Sequence, residues 1–377
     1  MSGKRAQVLI IGGGFAGLSA AQALSGHPLD CMLIDRCSFT QMRPVLPDIA
    51  GGSLRKADCS VPLERPASKT GFRFVKGDVS RILFNRNRVV LQDNSEYAYD
   101  YLILASGSEP DFFSLDTVRE HSFGIAHVDV ACRLHEYLFS GGFDSIVVAG
   151  GGYTGVETAT HIRKRLVRLK KNAVVTIVEP SSSVLKNSPQ WIQACASENL
   201  RAMGIEVHAR ARISGYESET VVLSDNSRIN NAGLVWAAGM KASLGAQRLE
   251  CMGNRQGRIA VHNDLRFKEN CFAAGDAACI GPADACFRMA LPVTVSGGAH
   301  AANNIVRMIN GKPLVEFRPS DPGFVVPMAN GRSYGEVYGV KVRGWGATLL
   351  HYLISAYRWY GTKSRIRIMS SPLRACR

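Results

Sequence analysis

Two stretches of this 377-residue sequence place glycine where a backbone must come close to a phosphate. In AQVLIIGGGFAG, Gly12, Gly14 and Gly17 follow a β-branched apolar run and precede LSAAQALS, whose composition is helical. The first glycine permits a tight turn, the second lets the chain approach a pyrophosphate, and the third lets helix pack on strand. The helix N-terminus then offers free N–H groups and a positive dipole. SIVVAGGGYTGVE repeats the pattern with Gly150, Gly152 and Gly155 ahead of ATHIRKRLVRL. Each repeat ends its next strand on an acid, Asp35 in CMLID and Glu179 in AVVTIVE, at the distance where a carboxylate accepts ribose hydroxyls. A carboxylate at 179 suits a free 2′-hydroxyl and repels a 2′-phosphate, which favours NADH over NADPH. Two fingerprints imply two dinucleotide sites, whereas a simple dehydrogenase needs one.

Glu157, two residues past Gly155 and inside the first helical turn, is the catalytic candidate. The plainer role for such an acid is to complement the helix dipole, worth about 0.3–1 kcal/mol. The ten cysteines contain no C-x-x-C pair and no cluster with zinc spacing, so no metal is expected and the thiols are expected to be mostly free, as in a reducing cytoplasm. Cys37, Cys132 and Cys286 lie in segments that could face the reaction centre.

The elements that must position these groups are those of a sizeable globular protein. Hydrophobic residues make up 46% and charged residues 20%, which excludes disordered and fibrous classes, and the length predicts two or three domains. The first apolar run stops at Gly12, too short for a signal peptide, and no run reaches the roughly eighteen apolar residues of a spanning helix. The net charge of +14 draws the surface toward polyanions. No nucleic-acid motif accompanies it, so nucleic acid is not an expected partner.

YDYLILASGS at 99–108, tipped by Ala105-Ser106-Gly107, and CFAAGDAA at 271–278, carrying Gly275-Asp276, join the first glycine run in resembling the FAD-binding signatures of the two-dinucleotide-domain flavoprotein reductases. YTGVE at 153–157 is similar to the PTGVE of type II NADH dehydrogenases, and DYLILASGSEPDFF and VWAAGM fit that group. The resemblance implies that Asp276 holds the ribityl and phosphate region of FAD. It implies that the Ala105–Gly107 tip leads the chain into an NAD domain, that LVWAAG, ending at Gly239, leads it back, and that Glu157 orients nicotinamide or relays protons. Arg36 and Val79 are further cofactor-binding candidates. FTQMRPVLPDIAGG at 39–52 looks like the family's H-x-F-x-P-L-L segment beside the isoalloxazine. It keeps Pro44, with Thr40 and Met42 in place of His and Phe. The quinone-site segment A-Q-x-x-x-Q falls on Val295, Ser296 and His300, without either glutamine.

The expected fold is α/β: two doubly wound, Rossmann-like domains, FAD-binding 1–112 with 241–312 and NAD(H)-binding 113–240, plus a C-terminal module at 313–377. In that module KPLVEFRPSDPGFVV alternates like a short sheet. GWGATLLHYLISAYRWYG then spaces Leu349, Leu350, Leu353, Ile354 and Tyr357 helically among Trp345, Tyr352, Trp359 and Tyr360. Lys341, Arg343, Arg358, Lys363, Arg365, Arg367, Arg374 and Arg377 surround it, and no acid occurs after Glu336. This reads as an interfacial helix on anionic lipid, or as a helix docked on the protein's own core. The implied activity is hydride transfer from NADH to FAD and electron transfer to a quinone, without pumping, at the cytoplasmic face of the inner membrane or in the cytoplasm, with a homodimer as a further expectation. A cysteine-using sulfide:quinone oxidoreductase and a low-turnover NADH/FAD redox sensor are the alternatives.

Overall fold

Runs of Val, Leu and Ile between helical segments make parallel strands buried on both faces, and such strands read as continuous apolar stretches. The computed structural model describes residues 4–357, 359 and 362–371, and divides the chain into two compact units. One comprises Met1–Thr40, Val61–Glu109 and Met240–Asp321; the other Gln41–Ser60, Pro110–Gly239 and Pro322–Arg377.

The first unit carries a sheet in the order Arg266–Lys268, Cys271–Ala273, Glu96–Leu104, Arg5–Ile11, Cys31–Asp35, Arg73–Lys76. All its pairings are parallel except that of Arg266–Lys268. An antiparallel hairpin, Val79–Leu83 with Arg88–Leu91, runs on from Glu96–Leu104. Val8, Leu9 and Ile10 are wholly buried. Helices Phe15–Leu24 and Leu291–Ile309 pack closely, because a Cβ on Gly298 would lie 2.1 Å from the Ala16 carbonyl oxygen.

The second unit has a five-stranded parallel sheet: Phe123–Gly124, Ala232–Trp236, Ser145–Ala149, Val174–Glu179, Ile205–Ala209. A small antiparallel sheet follows (Ile213–Glu217, Thr220–Leu223, Arg228–Ile229), and another forms near the C-terminus (Gly323–Val326, Ser333–Val337, Val340–Arg343). The last leads into helices Gly344–Tyr357 and Thr362–Met369.

The unit boundaries differ from the sequence expectation in two places. Residues 313–377 are not a separate module: they divide at Asp321/Pro322, and the larger part belongs with the second unit. Segment 41–60, with Pro44, belongs there too, because its helix Leu46–Ala50 is wholly buried and Gly51 sits against the His161 backbone. The alternating stretch from Lys312 forms strand only from Gly323, since Pro313, Pro319 and Pro322 cannot donate to a ladder. Helix Gly344–Tyr357 buries Ala347, Thr348, Tyr352, Ser355 and Ala356, as a docked helix does, and exposes Trp345, Leu353, Ile354 and Tyr357. Arg358, Tyr360, Arg374 and Arg377 lie outside the described residues. No helix among the described residues is long and apolar enough to cross a membrane.

The expectation of mostly free thiols needs one correction. Cys31, Cys37, Cys59, Cys132, Cys195, Cys251 and Cys271 are free, but Cys279 and Cys286 form a disulfide, with Cα atoms 5.1 Å apart. The loop between them folds back on itself, Phe287 N–H donating to the Ile280 carbonyl at 2.9 Å, and no spacing rule marks that reversal.

Candidate cofactor and catalytic sites

In the first unit the three signature tips stand at the carboxyl ends of three neighbouring parallel strands, Arg5–Ile11, Glu96–Leu104 and Cys271–Ala273. This is the crevice where open α/β sheets take ligands. Gly12 has φ +108°, and a Cβ there would lie 2.2 Å from the Ala105 carbonyl oxygen, so the glycine turn and the Ala105–Gly107 tip touch only because residue 12 has no side chain. A Cβ on Gly17 would lie 1.8 Å from the Gly12 carbonyl oxygen, which is how the third glycine seats the helix. Gly14 caps helix Phe15–Leu24 with no side-chain bond to its N–H groups, and a Cβ on it would point into open space. Asp35 accepts from Gly13 N–H (2.6 Å) and Cys37 N–H (2.7 Å). Arg36 beside it is exposed, Val79 is buried at the start of the hairpin, and the Val295 carbonyl accepts from Ser19 Oγ at 2.7 Å.

Asp276 sits on the short turn Gly275–Ala277 and accepts from Ser108 Oγ at 2.7 Å. The next residues are clamped by Arg258, a buried guanidinium that donates to the Ala278 carbonyl (3.0 and 2.6 Å) and to the Phe287 carbonyl (2.8 Å). Sequence reasoning missed both residues. Ser108 closes the YDYLILASGS strand, a usable signal, whereas Arg258 in NRQGRIA carries none.

The second unit repeats the design. A Cβ on Gly150 (φ +98°) would lie 2.7 Å from the Ala237 carbonyl oxygen, one on Gly155 would lie 1.9 Å from that of Gly150, and Gly152 faces open space at an uncapped helix start. Glu179 accepts from Gly151 N–H (2.7 Å) and Ser181 N–H (2.8 Å), the counterpart of Asp35. The Gly239 carbonyl accepts from Asp111 N–H at 3.0 Å.

Glu157, in the helix that follows, lies in a buried polar cluster. It is 6% exposed, and it meets Asp48 (0%) and His161 (5%), with the three ligand atoms within 4.8 Å of one another. Nε2 of His161 lies 3.9 Å from Asp48 Oδ2, and Nε2 of His351 lies 4.0 Å from Glu157 Oε1. Tyr352 and Ser371 donate to Asp48 Oδ1 at 2.7 and 3.0 Å. Burial, then the charge of Asp48, pushes the Glu157 carboxyl well above its usual range. Burial pushes His161 down and His351 down to about 4. The partners of Glu157 were not read from the sequence, although its i,i+4 spacing with His161 put both on one helix face. Pro44 is the middle residue of the turn Arg43–Val45 that leads into the helix bearing Asp48.

Burial, then Asp129, pushes the Cys132 thiol up, away from the thiolate that nucleophilic chemistry requires, and Cys286 is tied to Cys279.

A family model described as pyridine nucleotide-disulphide oxidoreductase matches residues 6–303. The type II NADH:quinone oxidoreductase of Staphylococcus epidermidis is 27% identical over 96% of this chain and 96% of its own. That of Staphylococcus aureus is 27% identical over 94% and 95%. Among solved structures, NDH2 from Plasmodium falciparum in complex with NADH superposes with a TM-score of 0.86 at 14% identity, covering 98% of both chains. The sulfide:quinone oxidoreductase of Aquifex aeolicus superposes with a TM-score of 0.77 at 17% identity, covering 97% and 92%.

Proposed function

The chain belongs to the pyridine nucleotide-disulphide oxidoreductase family, and from that premise we propose that it is an FAD-dependent NADH:quinone oxidoreductase of type II. The observation that carries this is the pair of uncapped helix N-termini over Gly14 and Gly152, each with a carboxylate on the adjacent strand that accepts from the glycine turn. The relatives named above supply the activity class.

The residues of the first unit fit FAD. The space that a Cβ on Gly14 would fill suits a pyrophosphate, Asp35 suits a ribose, and Asp276, fixed by Ser108, suits the ribityl chain. When bound, the flavin supplies the ability to take a hydride pair and pass electrons on to an acceptor of another kind. The protein binds and orients. In the second unit the turn Gly150–Gly155 binds the NADH pyrophosphate through backbone N–H groups, and Glu179 receives the ribose and turns away a 2′-phosphate.

Glu157 is a positioning residue in this reading. It holds the first turn of helix Tyr153–Arg168 by joining the buried cluster of Asp48, His161 and His351. In Glu157→Gln, kcat for NADH oxidation falls and KM for NADH rises, while FAD stays bound. An unchanged pair of constants removes Glu157 from the mechanism.

The enzyme meets the bilayer without crossing it. Trp345, Leu353, Ile354, Tyr357, Ile366 and Met369 are exposed on the C-terminal helices, with exposed Lys341, Arg343, Lys363 and Arg365 nearby in the chain. Such a surface suits an anionic lipid face and a lipid-soluble acceptor.

The deciding experiment is an anaerobic titration of the purified yellow protein, first with NADH and then with a soluble quinone analogue. Bleaching by NADH and recovery with quinone is the expected sequence. Protein that is colourless and takes up no FAD overturns the proposal.

A further inference from the structure

We infer that Asp48, Glu157, His161 and His351 form a binding site for a divalent transition-metal ion of the zinc type, held by two carboxylate oxygens and two imidazole nitrogens of the second unit.

Four atoms carry the argument. Asp48 Oδ2, Glu157 Oε1, His161 Nε2 and His351 Nε2 are each buried and have no hydrogen-bond partner among the described residues. A buried polar atom is nearly always satisfied, so four orphans in one cluster require a common explanation. Their separations supply one. The imidazole-to-carboxylate distances of 3.9 and 4.0 Å are too long for hydrogen bonds. The ligand atoms of Asp48, Glu157 and His161 lie within 4.8 Å of one another, and His351 joins them through its 4.0 Å approach to Glu157 Oε1. Tetrahedral zinc ligands stand about 3.4 Å apart, so closure on an ion needs side-chain shifts of half an ångström or more.

The surroundings are arranged as ligands require. Glu157 and His161 are four residues apart on helix Tyr153–Arg168, the spacing that turns two donors to one side of a helix. Asp48 is asymmetric: Oδ1 accepts from Tyr352, Ser371 and Ser53 (3.1 Å), which leaves Oδ2 aimed at the histidine. Outer hydrogen bonds of this kind fix a ligating carboxylate.

Charge agrees with geometry. Among the described residues neither Asp48 nor Glu157 has a lysine or arginine at ion-pair distance, so no basic side chain competes with an ion for the two carboxyl groups. A dication cancels two carboxylates with two neutral imidazoles, and mixed nitrogen and oxygen donors suit zinc and its first-row neighbours rather than calcium or magnesium. The ion would tie together helices Leu46–Ala50, Tyr153–Arg168 and Gly344–Tyr357, three elements distant in the chain.

The test uses the full-length, flavin-loaded protein. Metal content is measured by mass spectrometry as purified; the protein is then stripped with a chelator and titrated calorimetrically with Zn²⁺. The expected result is one saturable site per chain and a lower Tm after stripping, with the flavin spectrum retained. Asp48→Asn and His161→Gln should lose the site. Tyr352→Phe, which keeps every ligand and so guards against a folding failure, should weaken Zn²⁺ about ten-fold or more. The inference is overturned if metal is absent as purified and the stripped protein shows no saturable Zn²⁺ binding, or if binding is the same in all three variants. A metal-free yellow protein that still oxidises NADH would sink the site and leave the proposed activity standing.

Discussion

A single methyl group decides whether each glycine turn can exist. At Gly17 the added carbon would meet the Gly12 carbonyl oxygen at 1.8 Å, backbone against backbone, and neither side can give way cheaply. Gly17→Ala should therefore emerge with FAD occupancy reduced at least about ten-fold, read from the flavin absorbance of the purified protein. Ser108→Ala is a gentler probe. It removes a hydroxyl from the Asp276 carboxylate, a charge-assisted bond of about 1.5–3 kcal/mol, so FAD should dissociate roughly ten-fold or more readily on dilution, with the fold intact. At the other cofactor, Glu179→Ser takes away the negative charge that meets a 2′-phosphate. The ratio of kcat/KM for NADPH to that for NADH should rise by about ten-fold or more, and an unmoved ratio would show that Glu179 only braces Gly151.

Among the elements, the C-terminal helices bury one face and leave another exposed. Thr362–Met369 is fastened by Arg367, whose guanidinium donates to the buried Asp58 carboxylate. Burial alone would raise the Asp58 pKa, but the Arg367 hydrogen bond, the Arg55 N–H and both arginine charges outweigh it and hold the carboxyl below its usual range. A carboxyl depressed in the folded state adds stability above its unfolded pKa of about 3.9, and that stability fades as pH falls through the folded value. Arg367→Ala should thus cost about 1 kcal/mol at pH 7 by urea unfolding, the half-exposed arginine being screened by water, and the deficit should shrink toward zero in strong acid. Gly344–Tyr357 carries Tyr352 to Asp48 with one face and shows Trp345, Ile354 and Tyr357 with the other. Deleting the helix would also remove Tyr352 from Asp48, so the lipid proposal is better tested by replacing those three exposed residues with serine. Sedimentation with anionic vesicles should be lost while flavin content is kept, and a variant that still pellets removes the bilayer from the account.

Across the whole molecule, local chemistry was legible and assembly was not. Gly12, Gly14, Gly17 and Asp35, and their counterparts Gly150, Gly152, Gly155 and Glu179, could be read directly, because a strand, a turn and a helix start lie within a few residues and each glycine answers a contact inside that span. The sheet was equally readable, since doubly buried parallel strands announce themselves as unbroken apolar runs. The rest depended on contacts between distant segments. Asp48, Glu157 and His351 come from three separate stretches, and no spacing rule spans the gaps; the same holds for Arg258 across the loop after Asp276 and for the reversal that joins Cys279 to Cys286. The amino-acid order thus determined the nucleotide-binding turns and the strands behind them, because their causes are local. Only the tertiary structure decided which unit holds residues 41–60 and the C-terminal helices, and what surrounds Glu157, because burial and ligand geometry arise when remote side chains are folded into one interior.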